Sequence, residues 1–314
     1  MRSLKLFAAA AAFLVSAPAV AEDVKVAIGI SGWTGFAPLT LAKEAGIFKK
    51  NGLDVTIRKI PQKDRHLAVA SGDIQCAATT VETWISWNAN GVATKQIFQL
   101  DKSYGADGMA TRKDIASIKD LKGKTVAASA PGTSPYFALA WMLKKNGLSV
   151  KDVTVVNLEP AAAAQAFVSG QNDAAMTYEP YLSTVRAAPD KGKIIATTLD
   201  YPMVMDTFGC TPKFLTDNPT AAKALADSYF EALDMIAKDQ AKSYEIMGAD
   251  VKQSGEQFGN SAKYLRWQDK AANQKFFTGE FLAFNKEAAD LLLEIGVIKS
   301  VPKIEDLFDA SFIK

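Results

Sequence analysis

The sequence predicts an α/β fold of two lobes joined by two crossover strands, with a helical C-terminal part. Three observations lead there. Alternating Val and Ile segments and helical stretches follow one another in the order β-α-β-α-β near the N-terminus. The same order returns further along with identities in register: Lys49-Lys50-Asn51-Gly52-Leu53 recurs as Lys144-Lys145-Asn146-Gly147-Leu148, and Ser71-Gly72 before Asp73 recurs as Ser169-Gly170 before Asp173. From Pro219 onward the pattern is largely helical.

The first strand is the alternating run 24–30, broken by Gly32 and Gly35. A helical pattern over 36–50 closes at Asn51-Gly52, a common helix stop. A strand over 53–57, a helix over 63–71 stopping at Gly72, and a short strand over 74–78 complete the first unit. In the second unit the strand is 125–128, the break is Pro131-Gly132-Thr133-Ser134, and the helix is 135–145, closed by Asn146-Gly147. A strand over 153–157, a helix over 161–169 and a strand over 174–177 follow, all within a mostly parallel arrangement. An extended segment over 204–210 leads to helices expected over 220–239, 243–248, 255–258, 262–268 and 279–295. Leaving the first unit at about residue 107 and rejoining it near 208 makes two crossovers that form a hinge. The expected division is 1–21 as a signal peptide, 22–107 with 208–314 as one lobe, and 108–207 as the other.

The signal is read from Arg2 and Lys5, the apolar run 6–15, and Ala19-Val20-Ala21 as small residues at a cleavage site. Ten apolar residues are too few for a membrane core that needs roughly 20. Removing Arg2 and Lys5 from the 36 basic residues leaves 34, equal to the 34 acidic ones. A neutral mature chain argues against a nucleic-acid partner and gives no reason to expect anionic lipid. Cys76 and Cys210 are the two thiols. Export permits a disulfide, but a domain this large does not need one, and the expectation is two buried free thiols.

In open parallel sheets, ligands collect outside the C-terminal ends of the strands. That selects four loops: Ser31-Gly32-Trp33-Thr34, the segment from Thr79 and Thr80 through Glu82 to Trp84, Ala130 to Ser134, and Thr177-Tyr178-Glu179-Pro180. The hinge adds Asp101, Asp107 and Asp206. Thr34, Thr133 and Ser134 stand before helices, where free N–H groups and hydroxyls hold an anionic or carbonyl-like oxygen or simply cap the helix. Trp33, Trp84, Tyr136 and Tyr178 offer rings that stack on a flat group or box a cation, with core packing as the ordinary alternative for Tyr136. Glu82, Glu179, Asp101 and Asp206 are acids near strand ends, and the four loops carry no Lys or Arg. Together they predict a small amine-bearing or zwitterionic solute (an amine, amidine or aminated ring, aminopyrimidine- or taurine-like), held by charge-assisted hydrogen bonds, with a purely anionic ligand repelled. The expected ligand set is therefore Trp33, Thr34, Thr80, Glu82, Trp84, Asp101, Thr133, Ser134, Tyr178, Glu179 and Asp206.

Little points to catalysis. His66, the one histidine, follows Lys63-Asp64-Arg65 at the front of a helix and reads as an exposed side chain. One histidine and two distant cysteines provide no zinc spacing, so no metal is expected. There is no nucleophile elbow, no P-loop and no dinucleotide fingerprint after the first strand, so no cofactor is expected and the chain reads as a non-enzyme. An exported enzyme or a sensor domain using the same cleft is the competing reading.

These motifs carry a resemblance. Pro38 to Phe48 (PLTLAKEAGIF), Ala70-Ser71-Gly72-Asp73, Ile118 to Lys124 (IKDLKGK), Pro131-Gly132-Thr133-Ser134 and Glu179-Pro180 stand in an order and spacing that resembles the periplasmic binding proteins of the nitrate, sulfonate, taurine and thiamine-pyrimidine transporter group. The resemblance runs over nearly the whole mature length. It implies a type II-like periplasmic-binding-protein fold, lobe closure around a small-molecule solute, a monomer in the periplasm, and delivery to an inner-membrane ABC permease with its ATPase. It also implies that Thr133 and Ser134 match groups that hold a sulfonate, and that Asp206 falls where taurine-type members place an acid suited to an amine. Glu82 and Glu179 depart from that pattern and favour a more cationic solute or an aminated, pyrimidine-like heterocycle, with an aliphatic sulfonate as the alternative. The cysteine-rich motif of similarly folded pyrimidine-synthesising enzymes is absent.

Overall fold

The computed structural model describes residues 22–314; the expected signal segment lies outside the described residues. The chain begins with β1 (Val24–Ile30), α1 (Ala37–Glu44), α2 (Ile47–Lys50), β2 (Leu53–Lys59), α3 (Gln62–Ser71), β3 (Cys76–Thr80), α4 (Val81–Ala89) and β4 (Lys95–Ser103). It crosses into β5 (Asp107–Thr111), β6 (Thr125–Ala128), α5 (Ser134–Lys145), β7 (Thr154–Asn157), α6 (Pro160–Val168), β8 (Ala174–Tyr178), α7 (Tyr181–Arg186) and β9 (Lys193–Thr197). It returns as β10 (Met205–Cys210), α8 (Pro212–Asp217), α9 (Pro219–Lys238), α10 (Gln240–Asp250), α11 (Gly255–Ala262), β11 (Leu265–Trp267), α12 (Lys270–Thr278) and α13 (Glu280–Glu294).

Two sheets result, a six-stranded one in the order β11-β4-β10-β3-β1-β2 and a five-stranded one in the order β7-β6-β8-β5-β9. The α/β two-sheet architecture agrees with the expectation, and the repeated units sit one in each sheet. Their helix stops are alike: Gly52 and Gly147 both take left-handed φ, +75° and +76°, which glycine adopts without Cβ strain. Within each unit the strands are parallel, β1 with β2 and β3, β6 with β7 and β8. The crossover strands are not. β10 runs antiparallel to β3 and β4, and β5 runs antiparallel to β8 and β9. A chain that passes straight from one sheet into the other has no helix to reverse it, so these strands enter against the grain.

Other differences are local. Gly46, at φ +73°, divides the stretch 36–50 into two helices. The segment 262–268, expected as helix, is the strand β11 at its centre, paired with the edge of β4; three residues are too short to carry a strand period. The expected boundary at 207/208 falls inside β10, which pairs within the first sheet from Met205 onward. The cysteines also differ from expectation. Cys76 and Cys210 are disulfide-bonded, because β10 lies beside β3 with these residues directly opposite. Their sequence separation of 134 residues hides that proximity.

Aromatic packing rigidifies the β4–β10 pair. Phe98 stacks on Phe208 (4.8 Å) and on Tyr229 of α9 (5.2 Å), contacts worth about 0.5–1.5 kcal/mol each beyond burial. α13 reaches across to the second lobe, where Phe284 meets Phe137 and Trp141 of α5 (6.3 and 5.8 Å). No helix of the described residues is long and apolar enough to cross a membrane.

Candidate functional site

The strand ends of both sheets line a narrow cavity with room for little more than a water-sized group in this closed form. Ser31 and Trp33 reach it from the end of β1, Thr80 from β3, Tyr178 from β8 and Ser134 from the first turn of α5. The crossovers contribute Asp107 and Asp206, and α3 contributes Gln62 and Arg65. Asp206 owes its place to strand register, standing opposite Thr80 on one side and Asp101 on the other.

Trp33 forms a wall whose orientation is fixed from behind. Its indole N–H donates to both carboxylate oxygens of Asp101 (3.1 and 3.3 Å), and its ring meets Tyr178 edge-on at 5.3 Å. Gly35 makes this possible: a Cβ there would lie 2.2 Å from Asp101 Oδ2 and from Trp33 Nε1. Asp101 therefore faces the tryptophan rather than the cavity.

The other acids divide. Asp206 and Asp107 line the cavity, each at most 3 % exposed, and Asp107 Oδ2 has no hydrogen-bond partner among the described residues. Glu82 lies behind Thr80, whose hydroxyl donates to its carboxylate, while Oε2 is left unpartnered. Glu179 does not line the cavity. Its carboxylate accepts from the backbone N–H and hydroxyl of Ser183 (3.1 and 2.7 Å) and from Arg186 Nε (3.2 Å), because α7 begins immediately after it and turns those donors back. Its expected role toward a cationic ligand is corrected accordingly.

Trp84 is also corrected. It packs edge-on against Trp87 (4.8 Å) and against Gly209, in a core cluster with Val69 and Ile74 and outside the cavity wall. Thr34 is buried with its hydroxyl unpartnered and its N–H directed to the Glu179 carbonyl (3.4 Å), a link between the lobes outside the cavity wall. Thr133 caps its own turn through Ala130 O (2.6 Å) and borders an adjoining chamber. Ser134 does line the cavity, with Oγ unpartnered, but its N–H is taken by Gln62 Oε1 (3.1 Å). His66 is half-buried beside Trp87 rather than exposed.

Arg65 is the charged lining residue that the sequence reading missed, along with Gln62 on the same helix. It is fully buried, donates to the carbonyls of Ala78 and Ile60 (2.5 and 2.9 Å), and has Nε unpartnered. Its neighbours Lys63, Asp64 and His66 disguise it as part of a solvated face. The available signal was positional: on α3, Arg65 and Val69 are the buried pair at helical spacing.

Burial governs the electrostatics. Desolvation pushes the Glu82 carboxyl up to about 8, with the negative charge of Asp107 adding to it and the Thr80 hydroxyl opposing it. Desolvation likewise lifts Asp107 to about 7, and holds Asp101 and Asp206 well above the usual carboxylate range. The same burial lowers Arg65 to about 10, opposed by Tyr178 and Asp206. Asp206 and Arg65 bring an acid and a cation to a single small cavity, an arrangement suited to a ligand with two unlike ends. The described residues hold no cluster of His, Cys, Asp and Glu suited to a metal ion.

Comparison with known proteins gives consistent matches. The model of the family described as NMT1/THI5 like matches residues 33–243. The taurine-binding periplasmic protein of Escherichia coli is 28 % identical over 219 residues, covering 68 % of this chain and 66 % of that protein. A Brucella abortus protein named only as a binding protein is 25 % identical over 316 residues, covering 94 % of this chain and 93 % of its own. Among solved structures, the alkanesulfonate-binding protein of Xanthomonas axonopodis pv. citri bound to MOPS superposes with a TM-score of 0.79 at 19 % identity, over 93 % of this chain and 100 % of that one.

Proposed function

Since this chain belongs to the NMT1/THI5-like family, we propose that it is the extracytoplasmic solute-binding component of an ABC importer, closing its two lobes on a compact solute that carries an amine. The observation that carries the reading is the shared lining of the interlobe cavity: Asp206 and Asp107 with Arg65 and the free hydroxyl of Ser134. The acids suit an ammonium or aminated ring, and Arg65 with Ser134 suits an anionic or carbonyl oxygen. Of the amine-bearing and zwitterionic solutes expected, Arg65 favours a zwitterion of the taurine kind. The small volume disfavours anything much larger.

The division at the crossovers, the periplasmic location, the monomeric state and the delivery to a permease with its ATPase belong to the same proposal. So does the absence of turnover: neither histidine nor cysteine stands among the cavity's lining residues to supply catalysis. Calorimetric titration of the mature chain with taurine, an aminopyrimidine, propanesulfonate and nitrate tests the ligand class. One-to-one binding of an amine, recovered unchanged, is expected. Tight binding of nitrate alone would overturn the amine, and product formation would favour an exported enzyme. Asp206→Asn should weaken amine binding at least tenfold, about 1.4 kcal/mol, whereas Glu179→Gln should weaken it far less, since Ser183 and Arg186 already occupy that carboxylate.

A further inference from the structure

The acids around the cavity outnumber the cation available to balance them. Glu82 on α4, Asp101 on β4, Asp107 on β5 and Asp206 on β10 are all buried, and Arg65 on α3 is the one basic residue buried with them among the described residues. The other titratable groups facing the cluster bring no further positive charge: Tyr178 ends β8, Tyr229 projects from α9, and Glu179 after β8 is already paired with Arg186 of α7. Asp101 is occupied by the Trp33 indole. Asp206 stands directly across the strands from Asp101. Asp107 lines the cavity with Oδ2 unpartnered, and Ser134 Oγ is an equally unpartnered polar atom in the same wall. So many ionised carboxylates cannot be enclosed together in a low-dielectric space unless protons or another cation join them.

We propose that the ammonium group of the solute takes the place of a proton: enclosure of an amine-bearing ligand expels a proton from the Asp107–Asp206–Glu82 cluster, so that binding releases acid and tightens as the pH rises. This inference rests on the amine-binding reading above. The exchange is balanced. The amine arrives as R–NH3⁺ and keeps its protons, a carboxyl O–H gives its proton to the solvent, and the resulting carboxylate accepts an N–H from the ligand. Burial already sets Asp107 at about 7 and Glu82 at about 8, so protons are present to be displaced near neutrality. With one proton linked, affinity changes by about tenfold per pH unit while the cluster is protonated and levels off once it has ionised.

The test is calorimetry of the mature chain with taurine, an aminopyrimidine and propanesulfonate at pH 6, 7 and 8, each in two buffers of different protonation enthalpy. For taurine, which carries an ammonium throughout this range, release approaching one proton per ligand and severalfold tighter binding per pH unit between 6 and 7 are expected, with propanesulfonate and the neutral aminopyrimidine releasing none. Asp107→Asn should reduce the release. Taurine binding with no proton release and a flat pH profile overturns the inference and leaves the ligand class standing. Failure of every amine while propanesulfonate binds overturns the amine reading, and the exchange with it. Independently of any ligand, a ¹³C carboxyl titration of the free protein in which no Asp or Glu titrates above pH 6 overturns the inference.

Discussion

At the scale of single residues, Gly35 and Arg65 do the most to shape the site. Gly35→Ala would place a methyl group where Asp101 Oδ2 and Trp33 Nε1 now lie. Neither can retreat without breaking the indole–carboxylate pair. Overpacking of this kind costs about 1–3 kcal/mol, to be read by urea unfolding, and a displaced Trp33 should weaken ligand binding severalfold; an unchanged midpoint would show that the pair yields freely. Arg65→Met would leave the carbonyls of Ala78 and Ile60 without their donor and strip the acids of their nearest buried cation. Removing one member of a buried charged set costs about 3–5 kcal/mol, again measurable as a lowered unfolding midpoint. Lysine would not restore it, because an ammonium cannot reproduce the planar fork that reaches two carbonyls at once.

At the scale of elements, β10 is decisive. It carries Asp206 at one end and Cys210 at the other, and it pairs with β3 and β4 along its length. The disulfide to Cys76 ties that strand to β3 across a long stretch of intervening chain. A double Cys76→Ser, Cys210→Ser variant should lose about 2–4 kcal/mol, chiefly through a less constrained unfolded chain, and should unfold at lower temperature while still binding ligand; abolished binding in a folded variant would mean that the bridge sets the position of Asp206. Element identity was partly legible beforehand. The parallel repeats showed themselves through alternation and Asn-Gly stops, whereas β11, three residues long, had no local period to separate strand from helix.

For the whole molecule, the buried acids make stability depend on pH in an uncommon direction. Asp107 and Glu82 titrate at about 7 and about 8 when folded, against ordinary values of 3.8 and 4.5. Between those limits the folded protein holds more protons than the unfolded chain, so stability falls as the pH rises. Each such group contributes up to about 1.4 kcal/mol per pH unit across its window. Thermal unfolding of the ligand-free protein should therefore show a declining midpoint from about pH 5 to pH 8, the span between ordinary and folded carboxyl pKa values. A flat midpoint over this range would mean that the acids are solvated, and a rising one that they are held ionised by a positive partner. Ligand-free and amine-bound protein should diverge most at the alkaline end.

Residue order alone was enough to establish the two-unit α/β plan, and it singled out Trp33, Thr80, Ser134, Tyr178 and Asp206, which line the cavity between the sheets. These follow from short-range rules: side-chain period, glycine at left-handed turns, and the geometry of strand ends, all of which neighbouring residues record. Tertiary packing alone decided that Arg65 points inward, that Glu179 and Trp84 point elsewhere, that Asp101 serves Trp33, and that the two cysteines meet. Those outcomes depend on which distant strand lies alongside and which partner takes a given hydrogen bond, and no stretch of contiguous chain encodes either.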